Sequence, residues 1–355
     1  MILLHAHLVS RRRLFHRRGL VFLCSLLVAL LLLSGCASRA SSPGAPLQSG
    51  PSPESQAGPQ AKAPPLRVVY SEWPGDYPLI LARELGLYQK YGVEVDLSYN
   101  QYYRDALTRY TAGSLDVFGA TLGDAIRLGA QRRSRLVAAL DSSDGADAIV
   151  GTVLVRQPAD LKGRRLGVNL GSIMGEMFIA DALHSAGLSE SDVELVNAAP
   201  EMVPNMMGYM LDAGHTWQPY TARAVANGYP IIYTSAETPD RYPDVIVLDP
   251  HLLETRPEQV RGFLRAVLEA ADYWNANPQE AAALLAGAYG RSTTPISTDG
   301  VRLYGVAANR QLFTPGSDFS SIFYTYQHTL QYMIDHGYLS TRPDPASLVD
   351  PSYLP

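Results

Sequence analysis

From Leu66 onward the chain alternates short β-branched runs with stretches whose apolar residues recur at helical spacing. That alternation is the pattern of βαβ units on a largely parallel sheet. It predicts strands at Arg67–Tyr70, Val93–Leu97, Leu115–Ala120 and Leu136–Leu140, with helices at Pro78–Tyr91, Tyr103–Ala112 and Leu122–Gln131 between and after them. Ala148–Val155 is a longer apolar run, after which the pattern restarts with a strand at Leu166–Val168, a helix at Met174–Ala186, a strand at Val193–Val196 and a helix at Val203–Leu211. A further strand-like run, Asp244–Leu248, precedes long helices, the clearest carrying Val260, Phe263, Leu264, Val267, Leu268 and Ala271 on one face. The expected fold is α/β with two lobes, the first built from 66–150 and 244–355 and the second from 151–243. The late helices pack back onto the first lobe, which makes Ala148–Val155 and Asp244–Leu248 two hinge-crossing strands. Open α/β sheets bind ligands beyond the carboxyl ends of their strands, so two facing lobes place a ligand in the cleft between them.

The first 65 residues follow other rules. A basic stretch through Arg18 leads into an apolar run from Leu20 to Leu33, interrupted only by Ser25. The run is shorter than the roughly 20 residues needed to span a bilayer core and ends in small residues, as a cleaved signal peptide does. Leu33-Ser34-Gly35-Cys36 resembles a bacterial lipobox, in which the cysteine is acylated and the chain is cut before it; Cys36 is the expected lipid anchor. Ser10 to Phe15 also resembles a twin-arginine export motif. Of residues 37–65, 25 of 29 are Ala, Ser, Pro, Gly or Gln, so 36–65 is expected to be a disordered tether. Its ends would sit about 30 Å apart by random-coil scaling.

Charge and cysteine content narrow the function. The chain has 29 basic and 34 acidic residues, and residues 1–35 hold five arginines and no acid, which leaves 24 against 34 in the remainder. An acidic product of this kind does not suit nucleic acid. The only cysteines are Cys24 and Cys36, so the folded part is expected to use no disulfide, thiolate metal site or cysteine nucleophile. The eight histidines show no metal-ligand spacing, and no Ser/His/Asp set or phosphate-binding glycine loop stands out. No cofactor and no enzymatic activity are expected.

Several stretches from Leu66 to the C-terminus resemble the substrate-binding proteins of ABC importers of the nitrate/sulfonate/taurine class, which share a fold with thiamine-pyrimidine precursor proteins. They are Tyr70-Ser71-Glu72-Trp73-Pro74-Gly75 with Leu81 to Tyr88, Ala112 to Asp116, Thr121 to Ala125, Leu140 to Val150, Asp160 to Val168, and Thr216-Trp217-Gln218-Pro219-Tyr220. The resemblance implies a periplasmic-binding-protein type II fold, a monomer that binds a small solute, and ABC permease and ATPase subunits as partners. It places the protein outside the cytoplasm, lipid-anchored to the membrane and facing the periplasm or cell exterior. A tethered solute sensor would use the same cleft. Gln218 stands where such proteins commonly carry an acid, and the helix start from Gly171 to Glu176, which includes Ser172 and Met174, is less apolar than usual.

Several residues are candidates for the cleft. Trp73, Pro74, Asp76 and Tyr77 follow the first strand, and Trp73 offers a flat surface to an apolar or cationic group. Thr121 and Asp124 form a helix cap whose amides could also hold an anion, and Ser172 poses the same pair of roles across the cleft. Asp141, Ser143, Asp144 and Asp147 lie near the end of the first-lobe sheet. Asp141 is expected to accept backbone hydrogen bonds in a hinge loop, and Asp147 to bind an amine. Trp217, Gln218 and Tyr220 would close the far wall, with Pro219 keeping that loop exposed, whereas Trp274 continues a helix face and belongs to the core. Helix starts favour an anionic ligand and the acids a cationic one; a zwitterion such as taurine, or a polar aromatic ring, satisfies both.

Overall fold

The computed structural model describes residues 63–131, 134–289 and 296–355. The expected signal peptide, the expected anchor Cys36 and nearly all of the expected tether lie outside the described residues.

Strands β1 (Leu66–Tyr70), β2 (Val95–Tyr99), β3 (Val117–Thr121) and β4 (Arg135–Ser143) come first. They are followed by β5 (Ala148–Gly151), β6 (Arg165–Val168), β7 (Glu194–Asn197), β8 (Ala213–Thr216) and β9 (Ile231–Thr234), then β10 (Pro243–Leu248) and β11 (Val301–Leu303). Two sheets result, one of six strands in the order β11-β4-β10-β3-β1-β2 and one of five in the order β7-β6-β8-β5-β9. The chain passes from the first sheet to the second through residues 144–147 and returns through 235–242. The two apolar runs expected at the hinge thus stand beside the crossings, β5 wholly in the second sheet and β10 wholly in the first.

Neither sheet is parallel throughout. β1 runs parallel to β2 and β3, and β6 parallel to β7 and β8, but β10 is antiparallel to β3 and β4, and β5 antiparallel to β8 and β9. The cause is the hinge: β5 and β10 each begin there and run away from it, whereas β3, β4 and β8 end on that side.

Alternation along the strands sorts side chains onto two faces. On one face of the first sheet Val68 and Ile246 join Phe263, Leu264 and Val267 of the helix Pro257–Ala276. On the other, Val69, Val245 and Val247 meet Ile126, Tyr326 and Leu330 from the helices Leu122–Ala130 and Ile322–Asp335. The late helices therefore cover the first sheet, and Trp274 is buried against Tyr77 with ring centroids 5.4 Å apart. The second sheet has its own pair of cores, around Phe178 and around Val203 and Leu211.

Three expected elements are shorter than their apolar runs. The helix expected over Pro78–Tyr91 ends at Glu84 and restarts at Leu87, because Gly86 takes a left-handed conformation with φ 68°. The helix expected over Val203–Leu211 stops at Met206. The strand expected over Ala148–Val155 ends at Gly151, where the chain turns so tightly that a Cβ would lie 2.2 Å from the Val155 carbonyl oxygen.

Candidate functional site

A cleft of about 800 Å³, partly open to solvent, lies where the carboxyl ends of strands from both sheets face each other. Its first wall follows β1. The Asp76 carboxylate accepts the Ser71 amide at 2.8 Å and the Ser71 hydroxyl at 2.7 Å, which folds the loop so that Trp73 turns its indole N–H onto Asp141, 3.3 Å from either oxygen. The loop presses close to β4: a Cβ on Gly75 would lie 1.8 Å from Asp141 Oδ2 and 2.4 Å from the Trp73 indole nitrogen. Asp141 is thus a fully buried strand residue held by a side-chain donor, and not the backbone-bonded hinge-loop carboxylate the sequence suggested.

Tyr103, at the start of the helix Tyr103–Thr111, donates to Asp124 Oδ2 at 2.8 Å and accepts the Thr121 amide at 3.1 Å. The Thr121 hydroxyl accepts the Asp124 amide at 3.4 Å. These two amides, which the cap left available to an anion, already have protein partners. Thr121 lines the cleft; Asp124 is buried behind it and paired with Arg127. Across the cleft Ser172 caps its helix by accepting the Gly175 amide at 3.2 Å, and both Ser172 and Met174 face the opening.

The second sheet delivers its residues from the end of β8. Trp217 and Tyr220 line the cleft, and the Tyr220 hydroxyl donates to Glu72 Oε2 of the first wall at 3.2 Å. Arg104 makes a similar bridge at the rim, donating to Asn169 Oδ1 at 2.8 Å. The segment after β8 is not the exposed loop expected from Pro219: Trp217 and Gln218 are half-buried, and Pro219 and Tyr220 are buried. Gln218 turns away from the cleft and accepts the Ala222 amide at 3.3 Å.

Asp147 stands on the first crossing segment. Its amide donates to Ser143 Oγ at 3.0 Å, and its Oδ1 accepts from Nε2 of His215 on β8 at 2.8 Å. Ser143 and Asp147 both line the cleft.

Of the expected site residues, Trp73, Asp76, Thr121, Ser143, Asp147, Ser172, Met174, Trp217 and Tyr220 are brought together around this opening, whereas Pro74, Tyr77, Asp124 and Gln218 are not. Pro74 and Tyr77 are buried below the Trp73 loop, Tyr77 in the core beside Trp274. The sequence reading overlooked the carboxylates Glu72, Glu201 and Asp244, the rings of Tyr103 and Tyr242, and Gln101 and Asn169. Glu72, Gln101, Asn169 and Glu201 had a usable signal: each follows the carboxyl end of a strand by a few residues, as Trp73 and Trp217 do.

The acids at the floor hold protons tightly. Burial, partly offset by the two Ser71 donors, raises Asp76 to about 6. Burial and the charges of Asp244 and Asp76 push Asp141 well above the usual carboxylate range, and burial and the Asp147 charge do the same to Asp244. A carboxyl that binds its proton more tightly folded than unfolded stabilises the fold while protonated, and that contribution is lost as pH rises through the folded value. For Asp76 the window runs from about 4 to about 6; for Asp141 and Asp244 it extends higher. Asp212, which hydrogen bonds from Arg165 hold below its usual value, titrates beneath this window and does not offset it. The ligand-free protein should melt roughly 5 °C lower near pH 7.5 than near pH 5.5 by calorimetry. A melting temperature that rises over that interval contradicts the assignment.

Two α/β lobes joined by two crossings around a cleft of ring and polar side chains define the architecture of the periplasmic binding proteins. Residues 73–281 match the family model described as NMT1/THI5 like, more than half of the chain, and the protein belongs to that family. A Brucella abortus protein named only as a binding protein is 28% identical over 222 residues, covering 61% of this chain and 69% of the relative. The alkanesulfonate-binding protein SsuA of Xanthomonas axonopodis pv. citri, solved with MOPS bound, superposes with a TM-score of 0.65 at 17% identity, covering 82% of this chain and 99% of that one. The desulfurization enzyme DSZB shares the fold with a TM-score of 0.62 at 17% identity, covering 81% and 97%. The fold alone thus houses both binding and catalysis.

Proposed function

We propose that this protein is the exported, lipid-anchored solute receptor of an ABC importer. It closes its two lobes over a small organic solute and presents it to the permease, which the ATPase subunits drive. The observation that carries this reading is the cleft itself: Trp73 from the first wall and Trp217 and Tyr220 from the second face one opening, and Tyr220 already reaches Glu72 across it. A solute touching both walls binds only the closed arrangement in full, so its differential affinity shifts the lobes toward closure. Cys36, followed by the spacer to residue 65, supplies the anchor and the reach.

Binding without chemistry is favoured over an enzyme because no cysteine follows Cys36 and the serine–carboxylate pair in the lining, Ser71 with Asp76, is spent on folding the first wall, Asp76 holding the Ser71 amide as well; His215 is engaged with Asp147. A sulfonate, taurine-like or nitrate ligand remains the reading suggested by family resemblance, but its anionic end would need donors. The Thr121 and Asp124 amides are taken by Tyr103 and the Thr121 hydroxyl. A thiamine-pyrimidine precursor is the second reading, favoured by the facing rings, which suit a flat heteroaromatic solute.

The test is titration of the full chain, by tryptophan fluorescence or calorimetry, against sulfonates, taurine, nitrate and pyrimidine precursors. Trp217→Ala should weaken the solute that binds by at least about fivefold, the cost of truncating a central ring. Affinity within a factor of about two of the parent overturns the proposed site.

A further inference from the structure

The lining of the cleft is one-sided in charge. Glu72, Asp76, Asp147, Glu201 and Asp244 contribute carboxyl groups to it, and no Lys, Arg or His is among the lining residues. Asp141 adds another carboxyl directly beneath Trp73. Two basic residues touch the lining from outside it: Arg104, which is spent on Asn169 at the rim, and His215, which is engaged with Asp147 Oδ1.

Two of these acids are set to receive a donor from the cleft. Asp147 is 2% exposed, and His215, itself fully buried, fixes Oδ1. Among the described residues nothing donates to Asp147 Oδ2, and nothing donates to the Asp244 carboxyl at all. Asp244 is the second residue of β10, beside the second crossing, and Asp147 ends the first, so the two flank the hinge from both crossings. Burying carboxylates without a counter-charge is costly, and a cation delivered by a ligand relieves that cost. No three of the described His, Cys, Asp and Glu residues are disposed to hold a metal ion. The facing rings of Trp73, Trp217 and Tyr220 instead suit an organic cation, whose charge is stabilised over aromatic faces.

We propose that the solute is an organic cation whose charged nitrogen donates to Asp147 and Asp244 at the floor of the cleft while its flat or apolar part lies between Trp73 and Trp217. The proposal rests on the reading of the cleft as a solute site and adds the sign of the solute's charge. The high proton affinity of Asp244 is the same fact seen without ligand: burial and Asp147 disfavour its charge until a cation arrives.

The experiment uses one ring with three charges. Benzamidine, benzamide and benzoate, with benzenesulfonate as a second anion, are titrated against the full chain at millimolar concentrations with tryptophan fluorescence as readout. Benzamidine should quench saturably and bind at least about tenfold more tightly than benzamide, the factor expected of a charge-assisted hydrogen bond. The anions should not bind. Asp147→Asn and Asp244→Asn keep the side-chain shape, and each should weaken benzamidine at least about tenfold. Circular dichroism of both variants separates lost binding from lost folding, and the second variant carries the test should the first not fold. Benzoate or benzenesulfonate binding as tightly as benzamidine, or no saturable response to benzamidine, overturns the cation. Anion or benzamide binding that Trp217→Ala abolishes would leave the receptor reading in place while removing this one.

Discussion

Asn309→Leu is expected to destabilise the folded chain by about 3–5 kcal/mol, a loss measured by urea unfolding with an unchanged m-value. Asn309 is fully buried on the helix Val306–Leu312. Its Oδ1 accepts the Ala139 amide at 2.8 Å, and its Nδ2 donates to the carbonyls of Ala139 at 3.0 Å, Tyr304 at 3.0 Å and Gly305 at 3.1 Å. These bonds fall where β4 leaves its register with β10: Asp244 pairs with Asp141 and Val245 with Ala139, which leaves Leu140 as an extra residue. A bulge in a central strand strands backbone groups, and Asn309 satisfies both polar groups of Ala139. Leucine matches the shape of asparagine and satisfies none of them, so at least two buried groups lose their partners at about 1–3 kcal/mol each. The bulge also carries the chain into Asp141 and Ser143, so the variant should disturb the cleft floor as well. A change below about 1 kcal/mol would mean that water or a backbone shift re-satisfies Ala139.

That bulge illustrates which features were legible in the sequence. Periodicity placed the strand from Leu136 to Leu140 and the helix from Leu122 to Gln131 because each buries one consistent set of apolar residues. It could not reveal that β4 continues through Asp141, Ser142 and Ser143, since those polar residues are buried by contacts with Trp73, Ser235 and β11 that arrive from distant parts of the chain. The antiparallel course of β5 and β10 was hidden for a related reason: strand direction follows from where the chain crosses the hinge, and an apolar run reads the same in either direction. In the cleft, Trp73 and Trp217 were found because a large ring just after a strand stands out. Gln101, Asn169 and Glu201 occupy equivalent places, but polar residues in loops are common, so only the assembled fold distinguishes them. The balance between anion and cation shifted for a physical reason too. Two of the amides at the first helix start, those of Thr121 and Asp124, are satisfied by Tyr103 and Thr121, while Glu72, Glu201 and Asp244 join Asp76 and Asp147 around the opening.

Gly300→Ala should act on the hinge and the cleft together, lowering stability by about 2–4 kcal/mol and solute affinity by about tenfold. The Gly300 carbonyl accepts the amides of Asp144 at 2.7 Å and Ala146 at 3.0 Å, so this one residue shapes the first crossing segment. Its φ of +77° lies in the left-handed region, and a Cβ there would sit 2.5 Å from the Ala146 nitrogen and 2.7 Å from the Gly145 carbonyl carbon. Both are backbone atoms, so no side-chain rotation relieves the contact; the crossing must move, and Asp147 moves with it. Gly113→Ala is the control, because Gly113 has a φ of +74° but nothing within 4 Å of the added carbon. It should lose about 1 kcal/mol, the conformational cost alone, with affinity unchanged. The difference between the two variants measures what the close approach of Gly300 contributes to holding Asp147 in place. Equal losses in both would mean that the first crossing yields freely and that the position of Asp147 is set by His215 on the second sheet.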